Sequence, residues 1–248
     1  MNYPLIKPKY YLSLLIDLLN FIKKPYDKPL VEKTTKSKIY ETIGLFFIKV
    51  FFSLTVASLL QFIYEPKNLT SASMSVRFGP LMLLLVGAFI LPIFEEITFR
   101  LSLKFKPIYL ALSTGTFTYY MITKAVFKSR LSLIDDSFKY RIGIAIVTMI
   151  IIYIISNRNI IKSKLEVFWG QHFRWIYYIS CISFAWLHIF NFELNTTNLL
   201  LLPILTLPQL FSATIAGYTR IAFGFRYPLV VHMSTNFLFT LLAFIPFD

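Results

Sequence analysis

The chain has 248 residues, of which 56% are hydrophobic and only 15% charged, and its mean hydropathy of +0.65 is too apolar for an ordinary water-soluble domain. Its net charge of +13 is carried by residues that flank apolar runs instead of forming one basic stripe, which speaks for a lipid bilayer and against nucleic acid as a partner. The single cysteine, Cys181, excludes an internal disulfide.

In chain order, the first feature is a basic segment, 1–41, with eight lysines. Its apolar stretch Tyr10–Ile22 carries Asp17 and Asn20 and is followed by Lys23 and Lys24, with no small-residue cleavage site. That pattern predicts an interfacial amphipathic helix and not a signal peptide. Beyond it, apolar stretches at about 42–64, 78–100, 106–123, 142–157, 173–191, 198–218 and 228–247 approach the ~20 residues needed to span. They are continuous, not alternating, and helices satisfy their own backbone groups in lipid. The expected fold is therefore all-α: a polytopic transmembrane helix bundle of about seven spans plus an N-terminal interfacial helix.

The expected organisation is a cytoplasmic basic segment, 1–41, followed by one transmembrane domain, 42–248. With the N-terminus inside, 17 of the 25 Lys and Arg residues fall on the inner side, although segment 124–141 carries five on the outer side. Residues between 158 and 174, His172 among them, read as a polar loop. Pro92, Pro203 and Pro208 sit within apolar stretches, where each removes a backbone donor and can bend or break a helix. Pro92 is three residues before Glu95, and a kink there would free carbonyls beside the carboxylate.

Three polar groups interrupt the apolar runs. The first is Glu95-Glu96, with Arg100 four residues after Glu96. Charges near mid-membrane cost on the order of 2.5–3.5 kcal/mol each on insertion scales, so a chain that keeps three together has a use for them. On a helix Glu96 and Arg100 share a face, while Glu95 is turned about 100° away. One carboxylate can thus be held ionised by the arginine and the other poised as a general base. The blander alternative is a solvated helix end. The second group is His188, with Phe184 one turn earlier as a wall against water or lipid; taken alone, such a histidine is a hydrogen-bonded core residue. The third is His232 with Asn236, four apart on one face, suited to meet an oxyanion or to hydrogen-bond between packed helices. Together they supply a base, a water-orienting imidazole and donors for developing negative charge, the parts needed to hydrolyse an amide with activated water.

Glu95-Glu96-xxx-Arg100, Phe184-xxx-His188 and His232-xxx-Asn236 resemble the EExxxR, FxxxH and HxxxN motifs of the CPBP family. These are the CAAX-protease and bacteriocin-processing intramembrane proteases, type II CAAX prenyl endopeptidases among them. The resemblance covers about 78–100 and 173–240. It implies an intramembrane endopeptidase, a hydrolase acting on a membrane-associated protein or peptide, prenylated in the best-known case. The resemblance points to the cytoplasmic membrane of a prokaryote. Glu95 would be the general base, His188 would bind or activate water, His232 and Asn236 would stabilise the oxyanion, and Glu96 with Arg100 would form a supporting pair. Two stretches, about 106–123 and 142–157, intervene between the first two motifs, where many members have a short link.

Members are often described as metalloproteases, and Glu95, His188 and His232 would then be a His₂Glu zinc set. The expectation is instead that no cofactor is needed. A zinc enzyme also needs a separate base, and Glu96 is held by Arg100. There is no His-Glu-x-x-His, Gly-x-Ser-x-Gly or mid-span aspartate pair. The competing readings are a non-proteolytic scaffold or immunity protein, which would not need Glu95 and both histidines, and an ion-coupled transporter, which predicts an inverted repeat that the sequence lacks.

Overall fold

The computed structural model describes residues 4–29, 32–64 and 66–244. Among them every regular element is a helix and there is no strand. The main helices are α1 (Pro8–Lys23), α2 (Thr35–Gln61), α3 (Leu69–Arg77), α4 (Pro80–Leu103), α5 (Pro107–Met121), α6 (Phe138–Ser156), α7 (Asn159–Leu187), α8 (Leu207–Ala222) and α9 (Arg226–Leu242). Here α4 is taken as one rod that passes through a wide turn at Val86–Ile90.

Three of these, α2, α4 and α6, are long and apolar enough to cross a membrane, at 27, 24 and 19 residues. Only 6% of the apolar stretch of α6 is buried, against 28% for α4. Ile144, Val147, Ile151 and Ile154 of α6 therefore face outward. Apolar surface of that extent is stable against lipid and costly against water. The fold is thus an all-α bundle with the apolar helices of a membrane protein.

The structure corrects the sequence reading in two places. Residues 158–174 are not a loop: α7 begins at Asn159, and His172 marks a kink inside it (φ −112°, ψ 15°) with its side chain exposed. The stretch 198–218 is not one helix. It breaks into Thr196–Leu200, Leu202–Leu205 and α8, because Pro203 and Pro208 each open a new helix. A first-turn proline sacrifices no hydrogen bond, whereas one in mid-helix would. Segment 1–41 packs against the rest of the chain. Helix α2 runs through residue 41 without interruption, and Leu14, Leu18 and Phe21 of α1 join the main core. The outer face of α1 still exposes Leu12, Ile16 and Leu19. The end of the expected stretch 228–247 lies outside the described residues.

The core lies where α1, α2, α4, α7, α8 and α9 meet, with Phe99, Tyr177, Phe184, Ile215 and Val231 at its centre. Close approach of α7 and α8 requires Gly217, since a Cβ there would run into the Tyr177 ring. Gly224, at φ +112°, sits in the left-handed region that glycine enters without strain. It turns the chain between α8 and α9 and so brings His232 back towards α4.

Candidate active site

The site is built on α4, and local chemistry fixes that helix at both ends. At the wide turn the Leu91 amide bonds to Val86, five residues back. The next donor along the chain would be Pro92, which has none. The Gly87 carbonyl is thereby orphaned inside the bundle, and Asn236 Nδ2 donates to it at 3.1 Å. The proline thus does free a carbonyl, and Asn236 on α9 takes it up. At the other end, the last carbonyls of a helix have no partners of their own. Ser113 donates to Ile97, Ser180 to Phe99, Arg220 to both Arg100 and Leu101, and Trp169 to Ser102. Four side chains from α5, α7 and α8 therefore hold the segment that carries Glu95, Glu96 and Arg100.

Glu96 is completely buried. His232 Nδ1 lies 2.9 Å from its Oε1, and Arg100 Nε lies 3.8 Å from its Oε2. An ionised carboxylate offers only acceptors, so His232 Nδ1 carries the hydrogen. The other imidazole nitrogen, Nε2, faces Glu95 Oε2 at 3.6 Å. His232 thus stands between the two carboxylates. The helix spacing makes Glu95 and Glu96 diverge, and one ring on α9 bridges the divergence.

Phe184 is the hub of the arrangement. Its ring lies 3.8 Å from the Arg100 Cζ and packs edge-on against Phe99, His188 and His232. It excludes solvent from the Glu96–Arg100 contact and gives the guanidinium an aromatic face. One turn later α7 ends. The His188 amide turns back to Ala185 and Trp186, and His188 Nδ1 takes up the Phe184 carbonyl at 2.7 Å. A carbonyl only accepts, so Nδ1 is again the donor, and a neutral His188 presents Nε2 as an acceptor. Tyr120 donates to the neighbouring Leu187 carbonyl and steadies this helix end.

Glu95, His188, His232 and Asn236 line one cavity of about 540 Å³. The structure therefore brings together all the residues singled out by sequence, Phe184 included, while Glu96 and Arg100 lie behind the cavity wall. It changes the relation between two of them. His232 and Asn236 do share a face, but His232 spends Nδ1 on Glu96 and Asn236 spends one amide hydrogen on Gly87. Among the described residues no three of His, Cys, Asp and Glu are gathered closely enough to hold a metal ion. Glu95, His188 and His232 share a cavity without forming a ligand set.

Two buried cations near the site were not singled out by the sequence. Arg220 lies between two apolar stretches, yet it is 4% exposed and caps α4. Lys49 lies inside the first apolar run, yet it is 4% exposed and lines the same cavity. The signal for Lys49 was present: Leu45 and Lys49 are four apart, and the buried Glu41, Thr42, Leu45 and Lys49 form one stripe of α2.

Comparison with protein-family models, with curated proteins and with solved structures finds no match for this chain.

Proposed function

We propose that this protein is an intramembrane endopeptidase of the CPBP kind, hydrolysing a peptide bond of a membrane-associated protein or peptide. It would lie in a prokaryotic cytoplasmic membrane as a bundle of about seven spans with the N-terminus inside. The observation that carries this reading is the imidazole of His232 set between Glu95 and Glu96, beside a cavity that also takes in His188.

In this reading a water molecule lies between Glu95 and His188 Nε2. Glu95 removes a proton as the water oxygen attacks the peptide carbonyl carbon. The negative charge passes to the carbonyl oxygen, where the second amide hydrogen of Asn236 is available to it. His232 is oriented by Glu96 in the manner of a carboxylate–histidine pair and faces Glu95 with its free nitrogen. It shares the abstracted proton until the leaving amine takes it up and the C–N bond breaks. Arg100 balances Glu96, and Phe184 keeps the pair dry.

The test is cleavage of reporter peptides that carry an apolar membrane segment, by purified full-length protein in lipid vesicles. The wild type is expected to cleave, and Glu95→Gln is expected to lose a factor of roughly 10²–10⁴ in turnover with an unchanged melting temperature. Equal turnover by the two proteins would eliminate Glu95 as the base. A wild type that cleaves nothing would favour a scaffold or transporter. The activity is expected to survive chelators; one zinc per chain, with loss on chelation and recovery on adding zinc back, would replace this mechanism.

A further inference from the structure

Lys49 belongs to none of the three motifs and has no part in the reaction just described. It sits on the buried stripe of α2, one turn beyond Leu45, and opens onto the cavity that holds Glu95, His188 and His232. Among the described residues its Nζ has no hydrogen-bond acceptor and no carboxylate within 4.0 Å. It lies within electrostatic reach of Glu95 and Glu96 without touching either. Glu96 is already served by Arg100 and His232, so Lys49 is not needed as its direct partner. Its stem is buried and its ammonium opens onto the cavity, so its hydrogens are turned towards whatever enters there.

A neutral polar residue lines the same cavity, Gln209 at the start of α8. The wall therefore sets a cation beside neutral amide and hydroxyl groups. A carboxylate carried by a peptide matches the cation, and the peptide backbone matches the neutral groups. Asn68 and Ser71 of the α3 region line this cavity as well and add short polar groups to it.

From this we propose that Lys49 forms a subsite for a carboxylate carried by the peptide substrate, resting on the protease reading for what the peptide is doing there. The carboxylate is either the free C-terminus of the peptide or an aspartate or glutamate side chain near the bond to be cut. Occupation of this subsite sets the register of the peptide against Glu95, so Lys49 determines specificity and takes no part in the proton transfers.

The experiment reads binding, so it does not depend on cleavage. Full-length Glu95→Gln protein in lipid nanodiscs is titrated with three dansylated hexapeptides of alternating leucine and alanine. One has a free C-terminal carboxylate, one a C-terminal amide, and one is the amide with a glutamate replacing an alanine. At least one carboxylate-bearing peptide is expected to bind tenfold or more tightly than the neutral amide. Preference for the first assigns the C-terminus, preference for the third the acidic side chain. Lys49→Met is expected to abolish the preference and Lys49→Arg to retain it. Methionine keeps the length of the lysine stem and removes only its charge, so that variant is expected to fold. Equal binding of all three peptides, no binding of any, or a preference that survives Lys49→Met would each overturn the subsite. Lys49-dependent binding by a protein whose wild type cleaves nothing would instead overturn the protease and leave the subsite standing.

Discussion

Arg100 and Arg141 are both completely enclosed, with side chains 1% and 0% exposed, and they are used in opposite ways. Arg141, in the first turn of α6, donates to the Thr123 hydroxyl, to the Arg130 and Leu133 carbonyls and to the Asp135 carboxylate. Only its Nε is left without a partner. It ties the 127–137 loop to the helix that follows. Arg100 has one carboxylate at 3.8 Å and a phenyl face, and neither Nη finds an acceptor. Glu96 Oε2 opposite it is also buried without a donor. Arg141 is held by several acceptors of one loop, so its loss is spread over that loop. Arg100 is held by one carboxylate and one aromatic face beside the cavity, so its loss falls on Glu96.

The sharpest way to test that contrast is to remove each arginine. Arg100→Ala leaves Glu96 enclosed with His232 alone, and breaking a buried pair in this way costs ~3–5 kcal/mol. A lowered melting temperature and loss of peptide cleavage are expected together. Arg141→Ala removes charged hydrogen bonds at the mouth of a loop, which are worth about 1.5–3 kcal/mol, and is expected to leave turnover per folded molecule unchanged. Wild-type melting in Arg100→Ala, or a loss of turnover in Arg141→Ala, would dissolve the distinction.

A smaller effect is expected where Asn236 meets α4. Asn236→Ala leaves the Gly87 carbonyl without a donor, at about 1–3 kcal/mol. Pro92→Ala restores an amide hydrogen to the helix that orphaned the carbonyl. A double-mutant cycle should therefore show that Asn236→Ala costs less stability in the Pro92→Ala background than in the wild type. Strict additivity would mean that the two residues are independent and that the wide turn at Val86–Ile90 has another cause. Loss of turnover that persists in the double variant, with stability restored, would separate the bond to Gly87 from the role proposed for the second amide hydrogen.

How much of this could be read in the sequence depends on the distance over which residues act. Helix spacing placed Glu96 and Arg100 on one face, His232 and Asn236 on another, and Phe184 a turn before His188, because each pair lies within one helix. Spacing is silent on which neighbouring helix a face meets. It could not show that the His232 ring enters the gap between Glu95 and Glu96, nor that Arg220 folds in to cap α4. The 158–174 segment was misread because an exposed helix surface carries the same charges as a loop. The 198–218 stretch was misread because hydropathy does not register the hydrogen that Pro203 and Pro208 lack. Lys49 shows the converse: its charge stands in plain sight inside an apolar run, but only the fold shows what that charge faces.

The smallest expected effect bears on Arg141. The hydroxyls of Ser137 and Ser129, and then the Arg141 guanidinium, hold the Asp135 carboxyl down to about 2. In the unfolded chain the same carboxyl titrates near its ordinary value of about 3.9. The depressed value means that the folded state binds the proton less well than the unfolded state does. The contribution of Asp135 to stability is therefore complete above about pH 5, and it is lost as the pH falls through about 4 towards 2. Below that range Asp135 is neutral and Arg141 keeps only its carbonyl and hydroxyl acceptors. Asp135→Asn carries no such titration, so its melting temperature should start below that of the wild type at pH 6. The two should converge as the pH approaches 2. Other carboxylates titrate in the same window in both proteins, so the quantity to follow is the difference between the two melting curves at each pH. A difference that stays constant from pH 6 to pH 2 would show that the Asp135 charge does nothing for the fold, and that Arg141 is held by its carbonyls alone.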